Sequence, residues 1–291
     1  MNEQETADAL AVVERALAED LRYGPDVTTA STVPADAIGT AAITPRKPGV
    51  LAGNEVALAV FQGRVANLDV LTAADDGTRL VPGDPVLVVR GALRGLLTAE
   101  RTALNLVSHL SGVATLTRQW VDAIDGTGCV IRDTRKTTPG MRSLEKHAVR
   151  MGGGRNHRLG LGDAVLIKDN HVLAAGSITA AFTAARDHAP NLPCEVEVDT
   201  LDQLDEALGL GVELVLLDNF TPDQCAEAVR RANAAGGRTE LEASGGLTLD
   251  VARAYAETGV HYLAVGGLTH SAPIVDIGMD LAPVESAAAV S

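Results

Sequence analysis

Six short runs limit what this chain can fold into: CVIRDT (129–134), AVLIKD (164–169), CEVEVD (194–199), LVLLDN (214–219), TELEASGG (239–246) and HYLAVGG (261–267). Each is β-branched or apolar and ends in a polar or Gly-rich turn. After the first gap they recur about every 20 to 30 residues with helix-like sequence between, the spacing of strand–helix units. Such units build a parallel sheet, either a barrel or an open doubly wound layer. A barrel is expected, because functional-looking residues end nearly every run, whereas an open sheet gathers them at one switch point. Aromatic residues make up only 2% of the chain, so Ala, Val, Leu and Ile must fill the core.

Upstream the pattern differs. Residues 4–20 carry apolar positions at helical spacing, and residues 21–36 (LRYGPDVTTASTVPAD) have the composition of a loop. Between Ala37 and Val89 short strands and turns alternate (AIGTAAI, GVLAG, LDVLTAADDG, DPVLVVRG), with a helix expected over Asn54–Gly63. The segment from Leu93 to Ile124 lacks proline and keeps a helical period, predicting one helix or two with a break at Gly112. PIVDIGMDL, after Ala272, has the character of a closing strand that returns to the first domain, and the Ala-rich tail is expected to be disordered.

The net charge of −14 argues against nucleic acid as a partner. No apolar run reaches the ~20 residues that span a membrane, and the polar, acidic N-terminus is unlike a signal peptide. Cys129, Cys194 and Cys225 are odd in number and widely spaced, which argues against a disulfide framework or structural zinc and points to a reduced, cytoplasmic protein. Charge is unevenly spread. Between Arg132 and His171 nine Lys and Arg face four Asp and Glu, a surplus of five that leaves −19 for the remainder. A basic island in an acidic protein is either a solvated face or a pocket for a small polyanion.

The expected strand ends supply three kinds of group. Arg135, Lys136 and Lys168 are cations, joined by His157 and Arg158 in GGGRNHRLGLGD; Glu197 and Asp218 are carboxylates; Ser244–Gly246 and Gly266–Gly267 offer backbone donors. Guanidinium forks bind carboxylates and phosphates bidentately. Separated carboxylates suit Mg²⁺ held jointly with substrate phosphates, and glycine turns admit a phosphate closely. Taken singly, each has a structural explanation: Lys168 as an ion-pair partner, His157 as a core histidine, the acids as neutralisers of nearby cations. Their convergence on one barrel mouth favours a site for a polyanion, a second anion and a divalent metal.

The segment DTRKTTPGMRSLEKHAVRMGGGRNHRLGLGDAVLIKDNH (133–171) resembles the signature of the quinolinate phosphoribosyltransferase family, the carboxylating nicotinate-nucleotide pyrophosphorylases of NAD biosynthesis. TAERTALNLVSHLSGVAT, EVEVD, LLDNF, LEASGG and AVGGLTHS follow the same order as in that family; EDLRYGPDVTT departs from its glycine-rich EDLGxGD-like run. The resemblance implies an open-faced α+β sandwich domain over residues 1–112, rejoined by 274–291, and a seven-stranded TIM-like α/β barrel over 113–273. It implies transfer of phosphoribose from phosphoribosyl pyrophosphate to quinolinate, with Mg²⁺, in a homodimer. Carried over by position, Arg135, His157, Arg158 and Lys168 would hold the quinolinate carboxylates, with Arg101 reaching in from the other subunit. Lys136, Glu197, Asp218, Ser244, Gly245, Gly246, Gly266 and Gly267 would hold the phosphoribosyl donor, and Glu197 and Asp218 the metal; Thr134 belongs to the same constellation. Lys136, Lys168, Glu197 and Asp218 are the expected catalytic groups.

Other chemistries remain open at this point. A mono-acid such as nicotinate could replace quinolinate. Lys168 could form a Schiff base in an aldolase-like lyase, which would require an apolar surrounding. A phosphate-ligand sensor is the non-enzymatic alternative.

Overall fold

The computed structural model describes residues 1–282. Helix α1 (Glu3–Asp20) starts with a capping box: the Asn2 side chain accepts from Glu5 N, and the Glu5 side chain accepts from Asn2 N. Residues 21–36 are not all loop. Asp26 accepts from Thr29 N and caps a short helix, α2 (Val27–Thr32), a local signal that turn-rich composition hides. Next come β1 (Ile38–Pro45), β2 (Gly49–Val50), α3 (Asn54–Gln62), β3 (Asp69–Ala73), β4 (Arg79–Leu80), β5 (Leu87–Ala92) and α4 (Leu93–Ala123). The helix α4 runs through Gly112 unbroken. Glycine is needed there for another reason: a Cβ would stand 2.2 Å from the Pro273 carbonyl oxygen.

The elements that follow are β6 (Val130–Arg132), α5 (Arg142–Met151), β7 (Val165–Ile167), α6 (Asp169–Ala175), α7 (Ile178–His188), β8 (Cys194–Val198) and α8 (Leu201–Gly209). The chain then forms β9 (Leu214–Asp218), α9 (Pro222–Ala234), β10 (Glu240–Ser244), α10 (Ala252–Ala256), β11 (Tyr262–Ala264), α11 (Gly267–His270) and β12 (Ile277–Leu281). Each of the six sequence runs contains one of the strands β6 to β11.

The chain divides into two compact units. One comprises residues 1–118, 137–153 and 269 onward. Its main sheet is antiparallel, in the order β12-β1-β5-β3, and β12 pairs with β1 from Ala41↔Leu281 to Pro45↔Ile277. The expected disorder of the Ala-rich tail lies outside the described residues.

The other unit comprises residues 119–136 and 154–268 and holds a parallel sheet in the order β6-β11-β10-β9-β8-β7. Six strands are present, with an isolated parallel bridge between Arg155 and Arg132 on β6 beside them. The fold is thus mixed α/β with one parallel and one antiparallel sheet. This agrees with the expected α/β class: the hydrogen-bonded ladder runs from β6 to β7 among the described residues, and the single-residue bridge at Arg155 lies on the open side of β6, an arrangement that does not exclude the seven-stranded barrel.

Period-two alternation in the parallel strands is inverted from the usual order. Val196, Val198, Val215, Leu217, Leu241 and Ala243 form a buried apolar set that alternates with the mostly polar Glu195, Glu197, Leu216, Asp218, Glu242 and Ser244, of which Glu195, Leu216 and Glu242 are also buried. The register puts Glu197, Leu216 and Glu242 in one row and Asp218 beside Ser244 in the next, nearer the strand ends. One face of this sheet is therefore polar and can line a site.

Candidate active site

A cavity of about 370 Å³ opens on that polar face, lined by Thr134, Arg135, Lys136, His157, Arg158, Lys168, Glu197, Asp218 and Ser244 together with Leu166, Leu216, Glu242 and Ala264. Nine residues expected from sequence thus meet on one wall. Gly245 and Gly246 continue from Ser244 with φ of +91° and +61°, and a Cβ on Gly245 would stand 2.2 Å from Asn219 Oδ1. Glycine is required at that turn. Gly267 opens α11 with open space around its Cα. Arg101 belongs to the other unit, exposed on α4.

The loop after β6 and the one before β7 carry the guanidiniums. Arg155 is tied to β6 by Arg155 N→Ile131 O at 2.8 Å and Asp133 N→Arg155 O at 3.2 Å. Asp133, fully buried, accepts from His157 N at 2.8 Å and from Asn156 Nδ2 at 2.6 Å. These bonds place Arg158, whose Nη1 donates to Ala164 O at 3.1 Å. What remains is unusual: Arg158 Nε and Arg135 Nε are both buried with no hydrogen-bond partner. Burial, and then the neighbouring Arg135 charge, lowers the Arg158 pKa from its ordinary value. Two desolvated guanidinium donors with nothing to donate to carry an energetic cost that an anion in the cavity would offset.

Lysine and carboxylate face each other across the strand ends. Lys168 Nζ is ion-paired with Glu197 Oε2, its side chain 43% exposed. The neighbouring Asp169 is not the partner. Asp218 Oδ2 accepts from Asn219 Nδ2 at 2.8 Å, and Asn219 N in turn donates to Ser244 O at 2.9 Å. Asn219 has φ +57°, a left-handed conformation that asparagine tolerates better than most residues. Thr134 Oγ1 accepts from Lys136 N at 3.0 Å, turning the chain at the end of β6.

Sequence reasoning missed the layer beneath. Arg132 Nη1 donates to Glu242 Oε2 at 2.5 Å, and His157 Nε2 lies 2.7 Å from Glu195 Oε2. Burial first, then mutual repulsion with Glu195, pushes Glu242 up to about 7. Attention to strand ends alone passed over Glu195 and Glu242; Asn219, directly after β9, was not singled out beside Asp218. The signal was there in the alternation of CEVEVD and TELEASGG, which puts Glu195 in phase with Glu197 and Glu242 with Ser244.

Fold and cavity together define a parallel α/β protein whose strand ends gather cations around one cavity, a class of site suited to anionic ligands. The family models for quinolinate phosphoribosyl transferase match this chain over residues 26–111 (N-terminal domain) and 113–280 (C-terminal domain). The nicotinate-nucleotide pyrophosphorylase [carboxylating] of Mycobacterium leprae is 58% identical over 92% of this chain and 95% of its own. A solved nicotinate-nucleotide pyrophosphorylase from Francisella tularensis superposes with a TM-score of 0.90 at 36% identity, covering 95% of this chain and 96% of that one. NadC from Streptococcus pyogenes does so at 0.89 and 36%, with 98% of both chains covered. The chain belongs to the quinolinate phosphoribosyltransferase family.

Proposed function

We propose that this chain is a pentosyltransferase that moves phosphoribose from phosphoribosyl pyrophosphate onto quinolinate with loss of CO₂, giving nicotinate mononucleotide and pyrophosphate for NAD biosynthesis. The unpartnered Nε donors of Arg135 and Arg158 carry the reading, because both line one cavity and both need an anion. A planar di-acid supplies two carboxylates to such forks, whereas a mono-acid leaves one donor buried and unpaired. Arg135, Arg158 and Lys168 form the di-acid side, where His157, expected from sequence to contact the carboxylates directly, instead holds the Arg158 backbone through Nδ1; Lys136, Glu197, Asp218 and the turns at Ser244–Gly246 and Gly266–Gly267 form the phosphoribosyl side.

Attack by the pyridine nitrogen on the ribose anomeric carbon breaks the bond to pyrophosphate through an oxocarbenium-like state. Carboxylates at Glu197 and Asp218 stabilise positive charge developing there, and Lys136 stabilises the leaving group. Holding the di-acid aims the ring nitrogen at the sugar. Once alkylated, that nitrogen is cationic and accepts the electrons of the carbon–carboxylate bond as CO₂ departs; a proton then takes the vacated ring position.

Glu197 and Asp218 also fit Mg²⁺: two carboxylates on adjacent strands, open to a cavity that would admit phosphates, suit an ion that keeps most of its water. Bound there, Mg²⁺ would neutralise pyrophosphate charge. The buried trio His157, Glu195 and Glu242 also clusters within 4.8 Å. It does not fit an ion, because the Arg158 N–H donates to His157 Nδ1 at 2.7 Å. That contact leaves the ring proton on Nε2, the nitrogen an ion would need.

Lys168 as a Schiff-base nucleophile is disfavoured by its ion pair with Glu197 and by its exposure. Family resemblance supports a homodimer in which Arg101 completes the neighbour's site, and a cytoplasmic location; among the described residues no helix is long and apolar enough to cross a membrane. The test is direct. Purified protein with quinolinate, phosphoribosyl pyrophosphate and Mg²⁺ should release pyrophosphate and CO₂, and release with nicotinate in place of quinolinate would refute the assignment.

A further inference from the structure

The reaction above uses neither Glu195 nor Glu242, the latter part of the cavity lining, yet burying them has a cost. Glu195 is 4% exposed and Glu242 fully buried, and the Oε1 atom of each lacks a hydrogen-bond partner. Their other oxygens meet Arg132 and His157. Arg132 is itself held in place, its guanidinium carbon 4.7 Å above the Tyr262 ring centroid while Glu242 takes its Nη1. His157 Nε2 also lies 3.7 Å from Glu242 Oε1, so its N–H points into the space between the two acids. On the other edge of the imidazole, Nδ1 stands 2.7 Å from the backbone nitrogen of Arg158. A peptide N–H can only donate, so Nδ1 is the acceptor and Nε2 carries the proton. Both ring nitrogens are therefore engaged within the protein, and neither is left to take a substrate proton or carboxylate.

We infer that Glu195 and Glu242 are positioning residues for Arg158, acting through His157: the acids hold the imidazole by its Nε2–H, and Nδ1 holds the Arg158 backbone. This rests on the assignment of Arg158 to quinolinate made above. The chain of contacts is short, and both acids and His157 are buried. Asp133 pins the same stretch from the other side, through His157 N and the Asn156 side chain. Arg158 is thus fixed at its backbone by His157 and at Nη1 by Ala164 O, while its buried Nε has no partner within the protein. A guanidinium must meet a carboxylate within a few tenths of an ångström to form a forked pair, and this framework sets that position.

The test uses the full-length protein and two variants, Glu195→Gln and Glu195→Ala. Steady-state kinetics with each substrate varied, calorimetry with quinolinate, and ¹⁵N spectra of the histidine imidazoles are the readouts. Wild-type His157 should show a protonated Nε2 and an unprotonated Nδ1. Loosening the framework should raise the quinolinate Kd and KM on the order of tenfold to a hundredfold while the phosphoribosyl pyrophosphate KM moves less than about twofold. Glu195→Gln, which keeps an acceptor, should lose less than Glu195→Ala. The inference is overturned if His157 carries its proton on Nδ1, if both KM values rise together, or if a folded variant binds quinolinate like the wild type. Should neither variant fold, the wild-type imidazole spectrum alone decides. If the wild type does not use quinolinate at all, the functional assignment fails, while the tautomer result still tests the acid–histidine–backbone arrangement.

Discussion

Arg158→Ala is the substitution whose outcome most directly tests the origin of the cavity's affinity. Without ligand, the Arg158 Nε is buried without a partner, and burial and the Arg135 charge both work against its ionised form. The free protein therefore gains little from this side chain beyond one hydrogen bond to Ala164 O. With a carboxylate bound, a charge-assisted pair contributes about 1.5–3 kcal/mol, which is roughly a ten- to 150-fold change in Kd. Arg158→Ala should thus weaken quinolinate binding by that factor while the unliganded melting temperature stays level or rises, since relieving like-charge crowding offsets the lost hydrogen bond. Arg158→Lys keeps the charge and loses the fork, and should recover only part of the affinity. Calorimetry with quinolinate and differential scanning calorimetry of the free protein measure the two quantities. A marked fall in unliganded stability with unchanged quinolinate affinity would refute the reasoning, because Arg158 would then be a structural residue.

Lys136→Ala should raise the phosphoribosyl pyrophosphate KM by at least about tenfold and leave the quinolinate Kd nearly unchanged, since an exposed point charge beside the strand ends serves phosphate rather than the ring; initial-rate kinetics with each substrate varied separate the two. Asp76→Asn should cost about 1–3 kcal/mol in urea unfolding, because Asp76 accepts from Gly53 N, Asn54 N and His147 Nε2 at the start of α3. Burial opposes ionisation of Asp76, but the bonds from His147 and the two amides prevail and lower its pKa. Its stabilisation is therefore present above the ordinary aspartate value and lost as pH falls below about 4, so the wild type and the variant should converge there. Glu242 behaves oppositely. With its folded pKa pushed up to about 7 by burial and by Glu195, it makes stability decline as pH rises from about 4.5 to 7, and Glu242→Gln should flatten that part of the melting-temperature profile.

How much of this molecule is legible in sequence depends on the range of the interaction involved. Strand positions β6 to β11 follow from local apolar runs, and α1, α3 and α4 from helical periodicity, because a chain must bury an apolar stripe or face wherever it has one. The α2 helix depends on a single cap bond from Asp26, and composition does not show whether such a bond forms. Gly112 has the residue type of a break but the environment of a close approach to Pro273, which lies far along the chain. At the site, strand-end position is enough to nominate Arg135, Lys136, Lys168, Glu197 and Asp218, since parallel strands project their ends to one side.

What each of those groups touches belongs to the tertiary structure alone. Lys168 could have paired with adjacent Asp169, yet its partner is Glu197, brought alongside by pairing of β7 with β8. Arg132, Glu195 and Glu242 come from three different strands, and nothing local marks them as one cluster. Sequence alone determined the strand–helix rhythm, the basic island and the chemical types available, because these follow from residue identity and short-range periodicity. The tertiary structure decided which guanidinium nitrogens are buried without partners and which nitrogen of His157 holds the proton. Desolvation and pairing are properties of a packed neighbourhood, and that neighbourhood is assembled from residues up to 110 positions apart.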